Sequence, residues 1–431
     1  MIDQVVEQMV VSESTRRLAA DAAAAAGVQG EAQRRVVVER VARQVVADLG
    51  ADMARRGEVV LSEQDEEALV RSVLATQLGL GRLQFLLDDD AIENIDCNGF
   101  DTVWVEYGDG TRQLVDPVAD SDSDLVALCQ RAARLHHVGG ERRLDVARPY
   151  VDLRLPGGHR MSVLIDVGAR PYVSIRRHRM MDVSLADLSS MMTDELRELL
   201  AASVRAGCNI VVSGSGTNAG KTTFLRALLA ECDPQTAIIT IELAFELGLH
   251  ELGWRHSNVR AWEVREANTE GAGAIGMDVL VERALRHHPD RIVVGEVLGD
   301  EVVQMLNAMS SGHSGGLCTL HANSAQDTFS RLGLLASQAP KQMSEQAVAK
   351  LIGAAVELVV FVGFDGGSSR RVVREVRAVE GAQGTQVIST ELYAQPAGGG
   401  LAEARFAPPT ALRERLVAVG YEPPARLWGM A

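Results

Sequence analysis

Apolar positions along the chain change their period twice. Up to about residue 75 they repeat as on a helix. Val37, Val41, Val45 and Leu49 step by four through 35–49, and an alanine run covers Ala22 to Ala26. Ser62-Glu-Gln-Asp65 precedes Ala68, Leu69, Val73 and Leu74, a capping-box pattern that starts another helix. Residues 1–75 therefore read as a helical N-terminal extension without chemistry of its own. From 76 to 181 the segments shorten and glycines punctuate them. Residues 102–107 read as a strand, Asp109-Gly110 suits a hairpin turn, and 151–155, 160–165 and 172–175 read as further strands. Residues 125–137 read as a helix stopped at Gly139-Gly140. A compact α+β domain is expected there.

Beyond 182 the apolar runs become continuous, as buried parallel strands require. Ile210 to Val212, then Ile238, Ile239 and Ile241, then 291–295 and 317–320 are such runs. Between them lie amphipathic helices: Phe224, Leu225, Leu228 and Leu229 mark one, 279–285 another, and Val303, Leu306 and Met309 a third. The alternation predicts a mostly parallel α/β sheet over 182–366. A Gly-Gly-Ser-Ser linker then leads to a strand pair at 371–379 and 386–392. A Pro- and Gly-rich stretch and a short helix at 412–419 close the 367–431 segment, where no catalytic constellation is expected.

The clearest chemistry sits in CNIVVSGSGTNAGKTTFLRALL, residues 208–229. Strand, small-residue turn, Lys-Thr and helix are the parts of a phosphate-binding loop. Backbone N–H groups of Gly216, Thr217, Asn218, Ala219 and Gly220, with the helix start at Lys221, Thr222 and Thr223, would face phosphates. Lys221 would reach the β and γ phosphates and the Thr222 hydroxyl would hold Mg²⁺. The pattern asks for glycine at 215, where this chain has Ser215 between Gly214 and Gly216. An ordinary strand-to-helix turn is the bland alternative, and the flanking strand and helix argue against it.

Downstream, Pro289-Asp290 turns into an apolar strand that delivers Glu296. A carboxylate so placed can hold Mg²⁺ through water or polarise an attacking water. Asp300 is expected to cap the next helix. Glu242 and Glu246 follow another apolar strand, and His321 ends a third; His321 is either structural or a contact to the γ-phosphate region. His313 reads as a loop residue. The basic run Arg176-Arg177-His178-Arg179 is either a solvated face or a neighbour of the nucleotide.

Composition narrows the partners. A net charge of −15 over 431 residues argues against a general nucleic-acid surface. Five scattered cysteines without a CxxC pattern suit reduced, buried thiols in a cytoplasm better than disulfides or zinc. No signal-peptide pattern opens the chain, and no apolar run approaches the roughly 18 residues of a membrane span. Membrane contact is expected only through a partner.

Read together, several blocks resemble the secretion-superfamily traffic ATPases, and most of all the tight-adherence, CpaF-like pilus group. LGLGRLQFLLDDDAIENIDCNG, VDLRLPGGHRMSVLI and VSIRRHR resemble the family's N-terminal domain. SGTNAGKTT resembles its Walker A block and ITIELAFEL its acidic box. PDRIVVGEVLGDEVVQMLNAMSSGHSGGLCTLHANS resembles its Walker B and histidine box. The resemblance covers about 60–365. It implies a RecA-like P-loop domain with a smaller α+β N-terminal domain. It also implies a homo-hexamer hydrolysing ATP at the inner face of the cell membrane, against an inner-membrane platform protein of a pilus or secretion system. In that family's terms Glu296 is the Walker B carboxylate and Glu242 and Glu246 are the acidic-box residues. His321 is the histidine-box residue, and Arg160 and Arg176 are the N-terminal-domain arginines that reach the nucleotide. The chain departs from the pattern at Ser215, Leu243, Leu298, Asp278 and Glu282; arginines are common in the family at the last three positions. Arg265, Arg283 and Arg286 are nearby substitutes in sequence. Two alternatives follow: a conjugative type IV secretion ATPase, and a nucleotide-binding assembly scaffold with little turnover.

Overall fold

The computed structural model describes residues 4–24, 31–58, 61–135, 144–177, 182–216, 218–265, 267, 272–339, 343–366, 368 and 370–423. Ala25 and Ala26 of the alanine run, the helix end at His137 with its Gly139-Gly140 stop, His178, Arg179 and Thr217 lie outside those residues. So do Gly367 and Ser369 of the linker. The chain forms two compact units, Met1–Arg179 and Met180–Ala431.

The first unit opens with α1 (Gln4–Ala24), α2 (Glu31–Arg56) and α3 (Glu63–Leu78). The expected capping box is present: the Ser62 hydroxyl accepts the Asp65 N–H, and the Asp65 carboxylate accepts the Ser62 N–H. On α2 the buried stripe is Val38, Val41, Ala42, Val45 and Val46. Val37 and Leu49 are only half-buried, because a helix of 3.6 residues per turn drifts off a strict step of four. These residues meet Leu69, Val70 and Val73 in a small core of their own.

The same unit continues with α4 (Leu83–Asp88), β1 (Ile92–Asn98), β2 (Val103–Tyr107), β3 (Arg112–Val115), α5 (Asp122–Leu135), β4 (Tyr150–Arg154), β5 (Arg160–Leu164) and β6 (Tyr172–Arg176). The strands form one antiparallel sheet in the order β3-β2-β1-β6-β5-β4. Gly110 takes φ +86° in the β2–β3 turn, as the Asp-Gly pair predicts. Ile95, Val105, Val163 and Ile175 face a core shared with Leu83 of α4 and Leu125 and Cys129 of α5. Their alternate neighbours Trp104, Leu164 and Tyr172 are exposed. Period-two burial of this kind marks a sheet covered on one face.

In the second unit come α6 (Asp194–Arg205), β7 (Ile210–Gly214), α7 (Lys221–Leu229), β8 (Ile238–Glu242), β9 (Val259–Glu263), α8 (Met277–Ala284), β10 (Arg291–Val294) and α9 (Glu301–Ser310). Next are β11 (Leu317–His321), α10 (Ala325–Gln338), α11 (Glu345–Ala355), β12 (Leu358–Phe364), β13 (Arg371–Gln383), β14 (Gln386–Ala394), β15 (Glu403–Ala404) and α12 (Thr410–Ala418). The described strands make one sheet, β15-β14-β13-β12-β7-β11-β10-β8-β9. From β12 to β9 every pairing is parallel. The run β12-β7-β11-β10-β8 is the RecA-like order, with the phosphate-loop strand β7 between β12 and β11. Ile210 and Val212 face one core with Leu196, Phe224 and Leu416. Val211 faces the other with Val281, Leu306, Leu332 and Ile352. The C-terminal strand pair is part of this sheet, since β13 pairs antiparallel with β12.

Candidate nucleotide-binding site

The phosphate loop leaves a fully buried strand of the sheet. Every residue of β7 is buried between β12 and β11. Gly214 is required there: a Cβ would meet the Val362 carbonyl oxygen at 2.7 Å. Left-handed backbone occurs in the loop at Gly216 (φ +76°), Asn218 (+68°) and Gly220 (+87°), and not at Ser215. Position 215 therefore carries a side chain without strain, which accommodates the departure from the glycine pattern. Alternating left-handed residues turn successive N–H groups into one hollow, which suits an anion. Helix α7 starts at Lys221 with no side chain capping it, so its positive end also faces the loop.

Lys221 is buried, and its Nζ lies 3.1 Å from the Gly216 carbonyl and 3.2 Å from the His321 ring nitrogens. His321 Nε2 is 2.9 Å from Glu296 Oε1. An ammonium group only donates, so these partners select the tautomer: Nε2–H donates to Glu296 and Nδ1 accepts from Lys221. Strand pairing sets this triad. β10 and β11 run in register at Val294 and Cys318, the Thr319 hydroxyl donates to the Gly295 carbonyl at 2.6 Å, and the Val297 N–H bonds the Thr319 carbonyl.

Glu242, at the end of β8, is 2% exposed. Its Oε1 accepts the N–H groups of Glu246 (2.9 Å) and Leu247 (2.8 Å). Its Oε2 is buried and has no hydrogen-bond partner. Burial pushes the Glu242 carboxyl up to about 7; the two N–H bonds pull the other way and the Glu246 charge adds to the rise. Thr222 Oγ1 donates to Glu246 Oε2 at 3.3 Å.

These parts fall inside the span matched by the model of the "Type II/IV secretion system protein" family, residues 77–362. The chain belongs to that family. It is 36% identical over 332 residues to a Mycobacterium tuberculosis protein named for conjugal transfer, covering 74% of this chain and 90% of that one. It is 32% identical over 258 residues to conjugal transfer protein TrbB of Rhizobium radiobacter, covering 58% of this chain and 74% of the relative. Among solved structures, the VirB11 ATPase of the Brucella suis type IV secretion system aligns at 25% identity with a TM-score of 0.37, over 69% of this chain and 96% of that one.

Membership of a family of traffic ATPases makes Mg²⁺ the metal to test against the residues. Among the described residues no group of three or more His, Cys, Asp or Glu side chains could hold a metal. Mg²⁺ takes one or two protein oxygens and fills the rest of its shell with phosphate and water. The orphaned Glu242 Oε2, the Glu246 carboxylate and the Thr222 hydroxyl supply hard oxygens of the right kind. Thr222 and Glu296, both expected at the metal, have different protein partners here, Glu246 and His321.

Arg160 and Arg176 belong to the first unit, where they are paired directly across β5 and β6. Thr217 lies outside the described residues. Asp300 does not cap α9: it is helical itself and makes no side-chain cap bond. Glu301, the first residue of α9, instead ties the turn before the helix, its Oε1 accepting the N–H groups of Leu298 (2.6 Å) and Gly299 (2.9 Å). Leu243 and Leu298 are exposed. Of the substitute arginines, Arg286 pairs with Glu282 at 3.4 Å and Arg265 bonds the Gly273 carbonyl at 2.6 Å.

Two further arginines serve the site. Arg226, buried on α7, donates to the carbonyls of Glu246 and Leu247 and so holds the acidic loop against the helix. A charged residue inside the apolar run Phe224-Leu225-Arg226-Ala227 was a readable signal. Arg371, beyond the family-matched span, donates from Nε to the Asn218 carbonyl at 2.8 Å. The C-terminal segment, where no catalytic constellation is expected, thus touches the phosphate loop. No sequence motif marks Arg371; only the pairing of β13 with β12 brings it there.

Proposed function

We propose that this protein hydrolyses ATP and uses the cycle to drive assembly of a tight-adherence or type IV-like pilus, or secretion across the inner membrane. The observation that carries the reading is the Lys221–His321–Glu296 triad at the mouth of a buried, glycine-turned phosphate loop. Lys221 would leave Gly216 for the β and γ phosphates. Residues 216 to 220 and Thr223 would bind phosphate oxygens through the backbone. Thr222 would hold Mg²⁺, with Glu296 and the acidic-box residues Glu242 and Glu246 around it; the ion would neutralise phosphate charge. Glu296, oriented by His321, would polarise the attacking water. Arg160 and Arg176 would reach the nucleotide from the N-terminal domain.

In this reading 1–75 is a helical extension, 76–181 the N-terminal domain, 182–366 the ATPase domain and 367–431 a C-terminal segment. The protein works as a hexamer at the inner face of the membrane, against a platform protein of the pilus or secretion machinery. Direct nucleic-acid contact is not part of the reading. No helix among the described residues is long and apolar enough to cross a membrane. A second version with the same chemistry, service in conjugative transfer, is compatible with the names of the relatives and is not favoured over the first.

Steady-state ATP hydrolysis by the native protein, Lys221→Ala and Glu296→Gln tests the reading, with oligomeric state measured on the same samples. Turnover by the native hexamer that both variants lose is expected. A native hexamer that binds ATP but turns over no faster than Glu296→Gln, with membrane partner supplied, identifies a nucleotide-gated scaffold instead. Leu298, Asp278 and Glu282 would then account for the missing rate.

A further inference from the structure

We propose that Arg371 is a positioning residue for the phosphate loop. Through it the β13–β14 strand pair holds the loop in the shape that nucleotide phosphates require. The proposal rests on the nucleotide-binding reading above.

The loop needs left-handed backbone at three alternate positions, and two of them are glycine. Asn218 is not. Asparagine visits that conformation more readily than other residues with a side chain, and Arg371 adds a contact that holds it there. Its Nε–H fixes the Asn218 carbonyl at 2.8 Å. In a trans peptide the carbonyl and the following N–H point in opposite directions. Holding the Asn218 oxygen on Arg371 therefore aims the Ala219 N–H away from Arg371, as a phosphate-binding hollow requires. The aliphatic stem of Arg371 packs on the next left-handed residue, where a Cβ on Gly220 would meet Arg371 Cδ at 3.3 Å. One side chain thus braces both residues that flank Ala219, immediately before Lys221.

Arg371 is itself anchored. It pairs with Phe364 as the first residue of β13, and its guanidinium lies 5.8 Å from the Phe364 ring. The intervening turn is tied through Asp365, whose carboxylate accepts from Gln395 (2.9 Å) and from the Gly400 N–H (2.8 Å). A movement of the strand pair would therefore be felt at the loop, and nucleotide in the loop would restrain the strand pair.

The test compares full-length native protein with Arg371→Met, Arg371→Lys and Arg377→Met, using Mg·ATP and Mg·ADP as probes. Arg371→Met keeps the stem and removes the donor. Arg377→Met removes a cation from the same strand; Arg377 Nε donates to the Ser389 hydroxyl at 2.9 Å. Dissociation constants, hydrogen exchange of the 216–220 amides, and kcat at saturating ATP are read together. For Arg371→Met, Kd is expected to rise about tenfold. Loop exchange is expected to quicken while kcat stays within about twofold, with Arg371→Lys intermediate and Arg377→Met native-like. Native affinity in Arg371→Met or Arg371→Lys, or equal weakening in Arg377→Met, overturns the proposal while leaving nucleotide binding intact. A native protein that binds neither probe overturns the nucleotide-binding reading, and this proposal with it.

Discussion

Strands β8 and β10 are neighbours, and each delivers a carboxylate at its end. β8 sends Glu242 into the interior. There the chain folds back so that the Glu246 and Leu247 N–H groups close over one of its oxygens. β10 sends Glu296 to the rim, where its side chain is 36% exposed and meets His321. The N–H groups after β10 are spent elsewhere, on the Thr319 carbonyl and on Glu301. Glu296 is thereby left to a side chain and to whatever enters the site. One end of the sheet so provides a sheltered acid and an accessible one, and the difference lies in where the following loop sends its amides.

The largest effect expected from breaking this contrast is at the rim. His321→Ala should lower turnover by about 10²-fold or more, with ATP affinity changed only a few-fold, because Glu296 loses the group that orients it. Pre-steady-state and equilibrium binding measurements check this. A raised KM at unchanged kcat would instead assign His321 to Lys221.

Next comes the interior acid. With its pKa raised to about 7 from an ordinary 4.5, Glu242 favours folding most below pH 4.5, and that contribution is lost as pH rises through 7. Glu242→Gln should therefore remove a downward slope of about 3 kcal/mol between those limits. The measurement is urea unfolding of nucleotide-free native and variant protein at several pH values; parallel curves would place the proton elsewhere.

A smaller effect should come from pressing the two ends together. At Gly295 a Cβ would lie 2.9 Å from Glu242 Cγ. Gly295→Ala is expected to cost about 1–3 kcal/mol in the same assay, and an unchanged midpoint would show that Glu242 moves freely.

Much of this contrast could be read from sequence, and part of it could not. Apolar runs marked β7, β8, β10 and β11, since a strand buried on both faces leaves few polar positions to confuse the period. β9 escaped notice because Val259–Glu263 is at most half-buried and carries Arg260 and Glu263. Helices α10 and α11 escaped too, although Ser324 and Ser344 cap them by their side chains; both were overshadowed by the motif block before them. Glu242, Glu296 and His321 were found as strand-end residues. Their different partners were not, because these depend on loop amides and on strand order. Arg371 shows the limit most clearly: its role depends on a strand pairing that local sequence does not encode.

The enclosure of β7 has a consequence for synthesis. Asn209, just before the strand, bonds Glu357, 148 residues later, and β12 follows at once. At roughly 5–20 residues per second, a ribosome takes about 7–30 s to deliver that partner. Until β11 emerges both edges of this apolar strand are unpaired, and until β12 emerges one still is, so a nascent chain of this protein is a natural client for chaperones that shield sheet edges, and pausing between codons 210 and 358 would prolong its exposure.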